Sequence, residues 1–181
     1  MEENKKVIFT RPHKTIYATE DQIIKVFDNR YTQAEVLNEA RNEALVEENT
    51  ELNIPTLVSV SETPEGWCLI RDKVEGKTLA QLMEEEPEKL QTYMEMFVDL
   101  QLIVHKQKVP AIKRLRHKLM DQINSLKDLN ATVRYELAVR LESMPKHTKL
   151  CHGDFNPSNV IVDKYGKLWI IDWAHAAQGN A

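Results

Sequence analysis

Nine residues near the end of the chain, Cys151-His-Gly-Asp-Phe-Asn-Pro-Ser-Asn159, constrain the fold more than any other segment. They set an Asp two residues after a His and an Asn five after that Asp, with Asn156-Pro157-Ser158 supplying turn chemistry between them. Strand signals follow at Val160-Ile-Val162 and Leu168-Trp-Ile-Ile171, joined by Lys164-Tyr-Gly166-Lys. A hairpin returns its end to where it began, so Asp172 is predicted to emerge beside Asn159. If the loop curls, Asp154, Asn159 and Asp172 bring three oxygen-bearing side chains to one rim. A turn of this kind, or an Asp closing a strand, is commonplace alone; the joint spacing is what is specific.

Hard cations such as Mg²⁺ take oxygen ligands and keep places for water and phosphate oxygens. Asn159 and Asp172 suit that task as metal ligands, which leaves Asp154 to take a proton from an attacking hydroxyl. The order H-x-D-x-x-x-x-N, then a hairpin and a second Asp, is the catalytic-loop arrangement of kinases.

The rest of the chain falls into two regions. Val7-Ile-Phe9, Thr15-Ile-Tyr17 and Gln22 to Phe27 read as short strands, and Thr32-Gln-Ala-Glu35 announces a helix through a capping box. Strands at Thr56 to Ser61 and Trp67 to Asp72 flank a turn at Thr63-Pro-Glu-Gly66. A second capping box, Thr78-Leu-Ala-Gln81, opens a stretch in which helical periodicity dominates to about residue 143. Within it Ile112, Leu115, Leu119, Ile123 and Leu126 are spaced as one stripe of a helix. The cluster Lys113, Arg114, Arg116, His117 and Lys118 reads as the solvated face of that helix.

The residues Cys151-His-Gly-Asp-Phe-Asn-Pro-Ser-Asn-Val160 and Ile170-Ile-Asp-Trp173 resemble the aminoglycoside phosphotransferase and choline kinase branch of the kinase-like superfamily. The resemblance implies an α+β, protein-kinase-like two-lobe fold. Residues 1–74 would form a small β-rich lobe that clamps a nucleotide, with a hinge near 71–76. Residues 75–181 would form a mainly helical lobe carrying the catalytic loop 151–159 and the metal-binding hairpin 160–172. It implies an ATP- or GTP-dependent kinase acting on a hydroxyl of a small molecule, with Asp154 as base, Asn159 and Asp172 on Mg²⁺, and His152 supporting the loop.

The resemblance also implies a strand Lys for the α- and β-phosphates, oriented by a helical Glu, and Lys25 on the last strand before the Thr32 helix is so placed. Glu35, Glu39 and Glu43 fall on one face; Glu39 is favoured, Glu43 is its rival, and the unused ones are read as surface charges. Ile70-Arg-Asp-Lys-Val-Glu-Gly76 resembles the family's hinge, so Asp72 and Lys73 are implied at the nucleotide. No glycine precedes Gly66; a loop over the phosphates must be Thr10-Arg-Pro-His-Lys-Thr15, with threonine hydroxyls, amides and Lys14 as its donors.

The chain ends nine residues after Asp172, whereas the resemblance implies further helices. A truncated helical lobe is therefore expected: a fragment, a short form, or a chain completed by another. Two other classes stay open. One is a kinase-fold nucleotide-binding module without full activity; the other is an atypical protein kinase-like enzyme, disfavoured by Trp173 and by the lack of an activation segment.

A formal net charge of −4, with dispersed Lys and Arg, gives no hint of a nucleic-acid surface. No apolar stretch approaches the length of a membrane span and the first residues lack an apolar leader core. Two cysteines, Cys68 and Cys151, sit in apolar strand-like runs and read as buried thiols of a reducing compartment. A cytoplasmic protein is expected; the oligomeric state is not legible.

Overall fold

The computed structural model describes residues 5–180. Strands β1 (Lys6–Arg11), β2 (Lys14–Ala18) and β3 (Gln22–Phe27) form an antiparallel meander. The five-stranded sheet is completed by β4 (Leu57–Thr63) and β5 (Gly66–Asp72) in the order β1-β2-β3-β5-β4. The turn between β1 and β2 is tight. Its His13 stands at φ 73°, and its ring Nδ1 lies 2.8 Å from Asp28 Oδ2.

Helix α1 (Gln33–Asn49) packs on this sheet. The Thr32 side chain accepts from the Glu35 amide and the Glu35 carboxylate accepts from the Thr32 amide, closing the predicted capping box. The buried face of α1 is half polar: Val36, Ala40 and Val46 share it with Glu39, Asn42 and Glu43. Phe27, Val36, Ala40 and Leu69 form a small core beneath the sheet.

Beyond the hinge, β6 (Gly76–Thr78) leads into α2 (Leu79–Glu85), whose own capping box joins Thr78 and Gln81. Helices α3 (Leu90–Lys106), α4 (Leu115–Ser125) and α5 (Ala131–Ser143) follow. The late hairpin is β8 (Val160–Asp163) with β9 (Leu168–Ile170), to which β6 adds a third strand. Strand β7 (Lys149–Cys151), just before the catalytic loop, pairs with β10 (Ala177–Gly179). The main core gathers Leu79, Leu100, Val104, Val109, Leu150, Val160, Ile170 and Trp173, so the His152 loop and the hairpin are anchored on the same apolar floor. The whole is an α+β, two-lobe kinase-like fold.

Three expectations need correction. The apolar stripe from Ile112 to Leu126 is not one helix: α4 spans only Leu115–Ser125, with Ile112 buried in the preceding turn and Leu126 exposed beyond it. Arg114 is extended (φ −68°, ψ 133°) and the Lys113 carbonyl accepts from the Gln178 amide at 3.0 Å, so the helix begins only at Leu115. Cys151 is half-buried, unlike Cys68, because the segment before β7 is open to solvent. Glu43 is no surface charge: it is wholly buried, since an acidic position on the inner face of α1 meets an arginine of β5. Strands β6 and β10, three residues each, are too short for alternation to reveal.

Candidate active site

The loop after β7 is held from beneath by His152, a fully buried ring. Its Nε2 lies 2.9 Å from the Ile171 carbonyl and its Nδ1 accepts from the Asp154 amide at 3.3 Å. One imidazole therefore spans the start of the loop and the end of the hairpin. Burial pushes its pKa below the usual value, against the Ile171 hydrogen bond, which raises it; the ring is neutral at pH 7. Phe155 stacks on Phe97 of α3 with centroids 4.7 Å apart, and the His152 ring tilts against Trp173 at 4.5 Å. Between His152 and Asp154 the backbone turns at Gly153, φ 87°. A Cβ there would meet the His175 carbonyl oxygen at 2.5 Å. Only glycine fits.

Asp154 and Asn159 are joined directly. Asn159 Nδ2 donates to the Asp154 carbonyl at 2.8 Å and to its carboxylate Oδ2 at 3.2 Å. Asn156 Nδ2 reaches Asp154 Oδ1 at 3.2 Å, and Asn156 Oδ1 caps the turn by accepting from the Ser158 amide. The hairpin returns as its length requires: the Ile171 amide donates to the Asn159 carbonyl at 3.0 Å. Asp172 follows at φ 66°, a left-handed conformation uncommon in a residue with a Cβ. It is held there by its surroundings. Trp173 behind it is wholly buried, and Asn42 of α1 donates to the Trp173 and Ala174 carbonyls at 3.4 Å.

Lys25 meets this group from the sheet. Its Nζ lies 2.5 Å from Glu39 Oε1 and 3.0 Å from Asp172 Oδ1. Burial drives the Asp172 carboxyl upward, but the charge and hydrogen bond of Lys25, with Lys14 and Arg71, outweigh it and hold the group below the usual carboxylate value. Of the three glutamates on one face of α1, Glu39 pairs with Lys25, Glu35 is spent on the cap, and Glu43 faces Arg71 Nη1 at 3.3 Å. Lys14 pairs in register with Phe27, and Ile16 with Lys25, so Lys14 and Lys25 rise from one sheet face.

Asp72 and Lys73 lie apart from this group. The Asp72 and Lys73 amides donate to the Thr56 and Asp21 carbonyls, and Lys73 Nζ is taken by the Glu20 carbonyl and Glu75. Both residues line a separate hollow of about 390 Å³ with Pro55, Val74 and Trp169, which none of Lys25, Asp154, Asn159 or Asp172 borders. Sequence reasoning missed Arg71 and Asn42. The available signal was the run of polar residues at the α1 positions that an apolar stripe would fill.

The donor set suits a magnesium ion. Asp172 is an ionised carboxylate with a third of its side chain exposed. Asn159 donates inward through Nδ2, leaving Oδ1 without a hydrogen-bond partner among the described residues. Those two oxygens are too few for an all-protein cage, and among the described residues no three His, Cys, Asp or Glu side chains gather for one. Magnesium binds in that sparse way, through one or two carboxylates plus substrate phosphates.

The buried Lys25–Glu39 pair faces the Asp-Asn loop and the hairpin Asp, and a family match makes the chain a phosphotransferase of the small-molecule kinase class. Residues 13–181 match the family described as the APH phosphotransferase enzyme family, and the chain belongs to it. No curated protein sequence matches. Among solved structures, the chain is similar to a thermostable mutant of aminoglycoside phosphotransferase APH(4)-Ia in ternary complex with ADP and hygromycin B. The TM-score is 0.65 and the identity 17%, over 98% of this chain and 68% of that one. It is also similar to an aminoglycoside-3'-phosphotransferase of type VIII (TM-score 0.61, 14% identity, 97% and 73% covered). A third is the GDP complex of aminoglycoside 2'-phosphotransferase-IIIa (TM-score 0.58, 15% identity, 98% and 69% covered).

Proposed function

We propose that the chain moves the γ-phosphoryl group of ATP or GTP onto a hydroxyl of a small molecule, with the chemistry at Asp154, Asn159 and Asp172. The observation that carries this reading is the Lys25 contact with both Glu39 and Asp172. A buried ammonium from the sheet and a carboxylate from the hairpin converge on one spot, and a triphosphate bridging the lobes needs both. The ADP and GDP in the complexes of similar folds support a purine nucleotide as donor.

In this reading Lys25, oriented by Glu39, binds the α- and β-phosphates. The hinge at 71–76 receives the purine through backbone groups other than the Asp72 and Lys73 amides, which are already bonded to the Thr56 and Asp21 carbonyls. Asn159 Oδ1 and the Asp172 carboxylate hold Mg²⁺, which when bound supplies charge neutralisation at the phosphates. Asp154 accepts the proton of the acceptor hydroxyl as its oxygen bonds to the γ-phosphorus and the bond to the β-phosphate oxygen breaks, releasing the nucleoside diphosphate. His152 touches none of the reacting atoms; it fixes the loop that presents Asp154. Most of the acceleration is positioning and charge stabilisation, because phosphoryl transfer asks for little covalent help.

The acceptor class is a hydroxylated small molecule, for which the aminoglycoside kinases of similar fold set the first panel. A cytoplasmic setting is supported by Cys68 and Cys151, which are free thiols as a reducing compartment keeps them; among the described residues no helix is long and apolar enough to cross a membrane. The test is nucleotide-dependent phosphorylation of aminoglycosides, choline, amino alcohols and sugars by wild type and Asp154→Ala. A loss of about 10²–10⁴-fold is expected in the variant. Turnover within a few-fold of wild type would remove Asp154 from the role of base.

A further inference from the structure

Arg71 belongs to none of the roles above, yet it is buried, with 6% of its surface exposed. It stands at the end of β5, opposite Ile23, two positions along from the Leu69–Lys25 pair. Paired and alternate residues of antiparallel strands share a face, so Arg71 and Lys25 rise toward α1 together. There the guanidinium divides itself between two carboxylates one helical turn apart: Nη2 is 3.5 Å from Glu39 Oε1, and Nη1 is 3.3 Å from Glu43 Oε1.

The same Glu39 oxygen also takes Lys25, so Glu39 is held from two strands at once. Glu43 is wholly buried, and neither of its oxygens has a well-formed hydrogen bond; Arg71 Nε is likewise without one. Such a group is costly to bury. An apolar residue would fill the Glu43 position more cheaply if packing were its only duty. What Glu43 does is hold Arg71, and what Arg71 does is hold Glu39.

We propose that Arg71, anchored by Glu43, is a positioning residue that keeps Glu39 and Lys25 aligned for the nucleotide phosphates and ties that alignment to the strand entering the hinge. The proposal rests on the reading of Lys25 as the phosphate-binding lysine. Two features favour positioning over plain cross-bracing. Arg71 shares its acceptor oxygen with Lys25, and it directly precedes Asp72 and Lys73, whose amides fasten the hinge to Thr56 and Asp21. A shift of the Arg71 fork therefore moves the partner of Lys25.

The experiment is a double-mutant cycle read in equilibrium affinity for Mg·ATP and for adenosine, using the full chain with folding checked by circular dichroism. Arg71→Met should weaken Mg·ATP binding by about tenfold, the scale of one charge-assisted hydrogen bond, and leave adenosine affinity unchanged. In a Lys25→Met background the further loss on adding Arg71→Met should vanish, since Arg71 acts through Lys25. If Arg71→Met does not fold because Glu43 is orphaned, Arg71→Met with Glu43→Gln removes the stranded charge and carries the same cycle. Unchanged Mg·ATP affinity, an equal loss for adenosine, or a loss that persists in the Lys25→Met background would overturn the proposal. Wild-type affinity in Lys25→Met alone would instead overturn the phosphate-binding assignment of Lys25, and this inference with it.

Discussion

Lys25 Nζ stands 3.0 Å from Asp172 Oδ1, although 147 positions of sequence separate the two residues. The contact joins the sheet to the end of the hairpin and is built on a Lys25–Glu39 pair whose side chains are about 5% exposed or less. Removing one member of such a pair strands the other away from water. Lys25→Met should therefore cost about 3–5 kcal/mol of stability, as measured by urea unfolding. A loss under about 1 kcal/mol would mean that Glu39 finds full compensation from Arg71.

Glu43 should give the stability curve an unusual slope. Burial drives its pKa up, against the nearby Arg71, to about 7 from an ordinary value of 4.5. Between those two values the folded state binds more proton than the unfolded chain, so the contribution of Glu43 to stability falls as pH rises from about 4.5 to 7. Glu43→Gln carries no proton to lose. Its stability relative to wild type should rise across that range, by at most on the order of 3 kcal/mol, in denaturant titrations at pH 5 and pH 8. A constant difference at the two pH values would show that Glu43 stays ionised throughout.

Gly153→Ala tests whether the catalytic loop tolerates adjustment. The added Cβ would lie 2.5 Å from the His175 carbonyl oxygen and 2.7 Å from its Cβ, at a φ of 87°. Backbone strain of this kind costs on the order of 1–3 kcal/mol, before the clash is counted. The variant should fold with a lowered melting temperature and lose phosphoryl transfer, because relief of the clash moves Asp154. Full turnover in this variant would show the loop to be more pliable than its hydrogen bonds imply.

The parts of the fold that local rules dictate were legible in the sequence. The two capping boxes at Thr32 and Thr78 fix their helix starts by side-chain chemistry alone, and the hairpin ending at Asp172 follows from its length and its turn. What the sequence hid is set by partners distant along the chain. The inner face of α1 carries Glu39, Asn42 and Glu43 among Val36 and Val46, so the amphipathic signal that orients a helix is blurred where the site needs it. Glu43 could be told from a surface charge only by seeing Arg71 beside it. Strands β6 and β10 owe their existence to β8 and β7, and three residues of either carry no period of their own.

His152 offers a separation of structure from chemistry. It is buried and neutral, and Nε2 holds the Ile171 carbonyl while Nδ1 takes the Asp154 amide. Gln at this position keeps a donor and an acceptor but cannot span both contacts with the same rigid ring. His152→Gln should lose about 1–3 kcal/mol of stability at pH 7.5, and turnover should fall further than nucleotide affinity, because the ring positions Asp154 and touches no phosphate-binding group. The pH dependence follows from the lowered pKa. Below about 6.5 the unfolded chain takes up a proton at His152 that the folded ring resists, so wild-type stability from this residue is full above that value and is lost as pH falls. The deficit of His152→Gln should therefore narrow between pH 7.5 and pH 5. A deficit that widened on acidification would mean that the ring is charged in the folded state and that its hold on the loop is an ionic one.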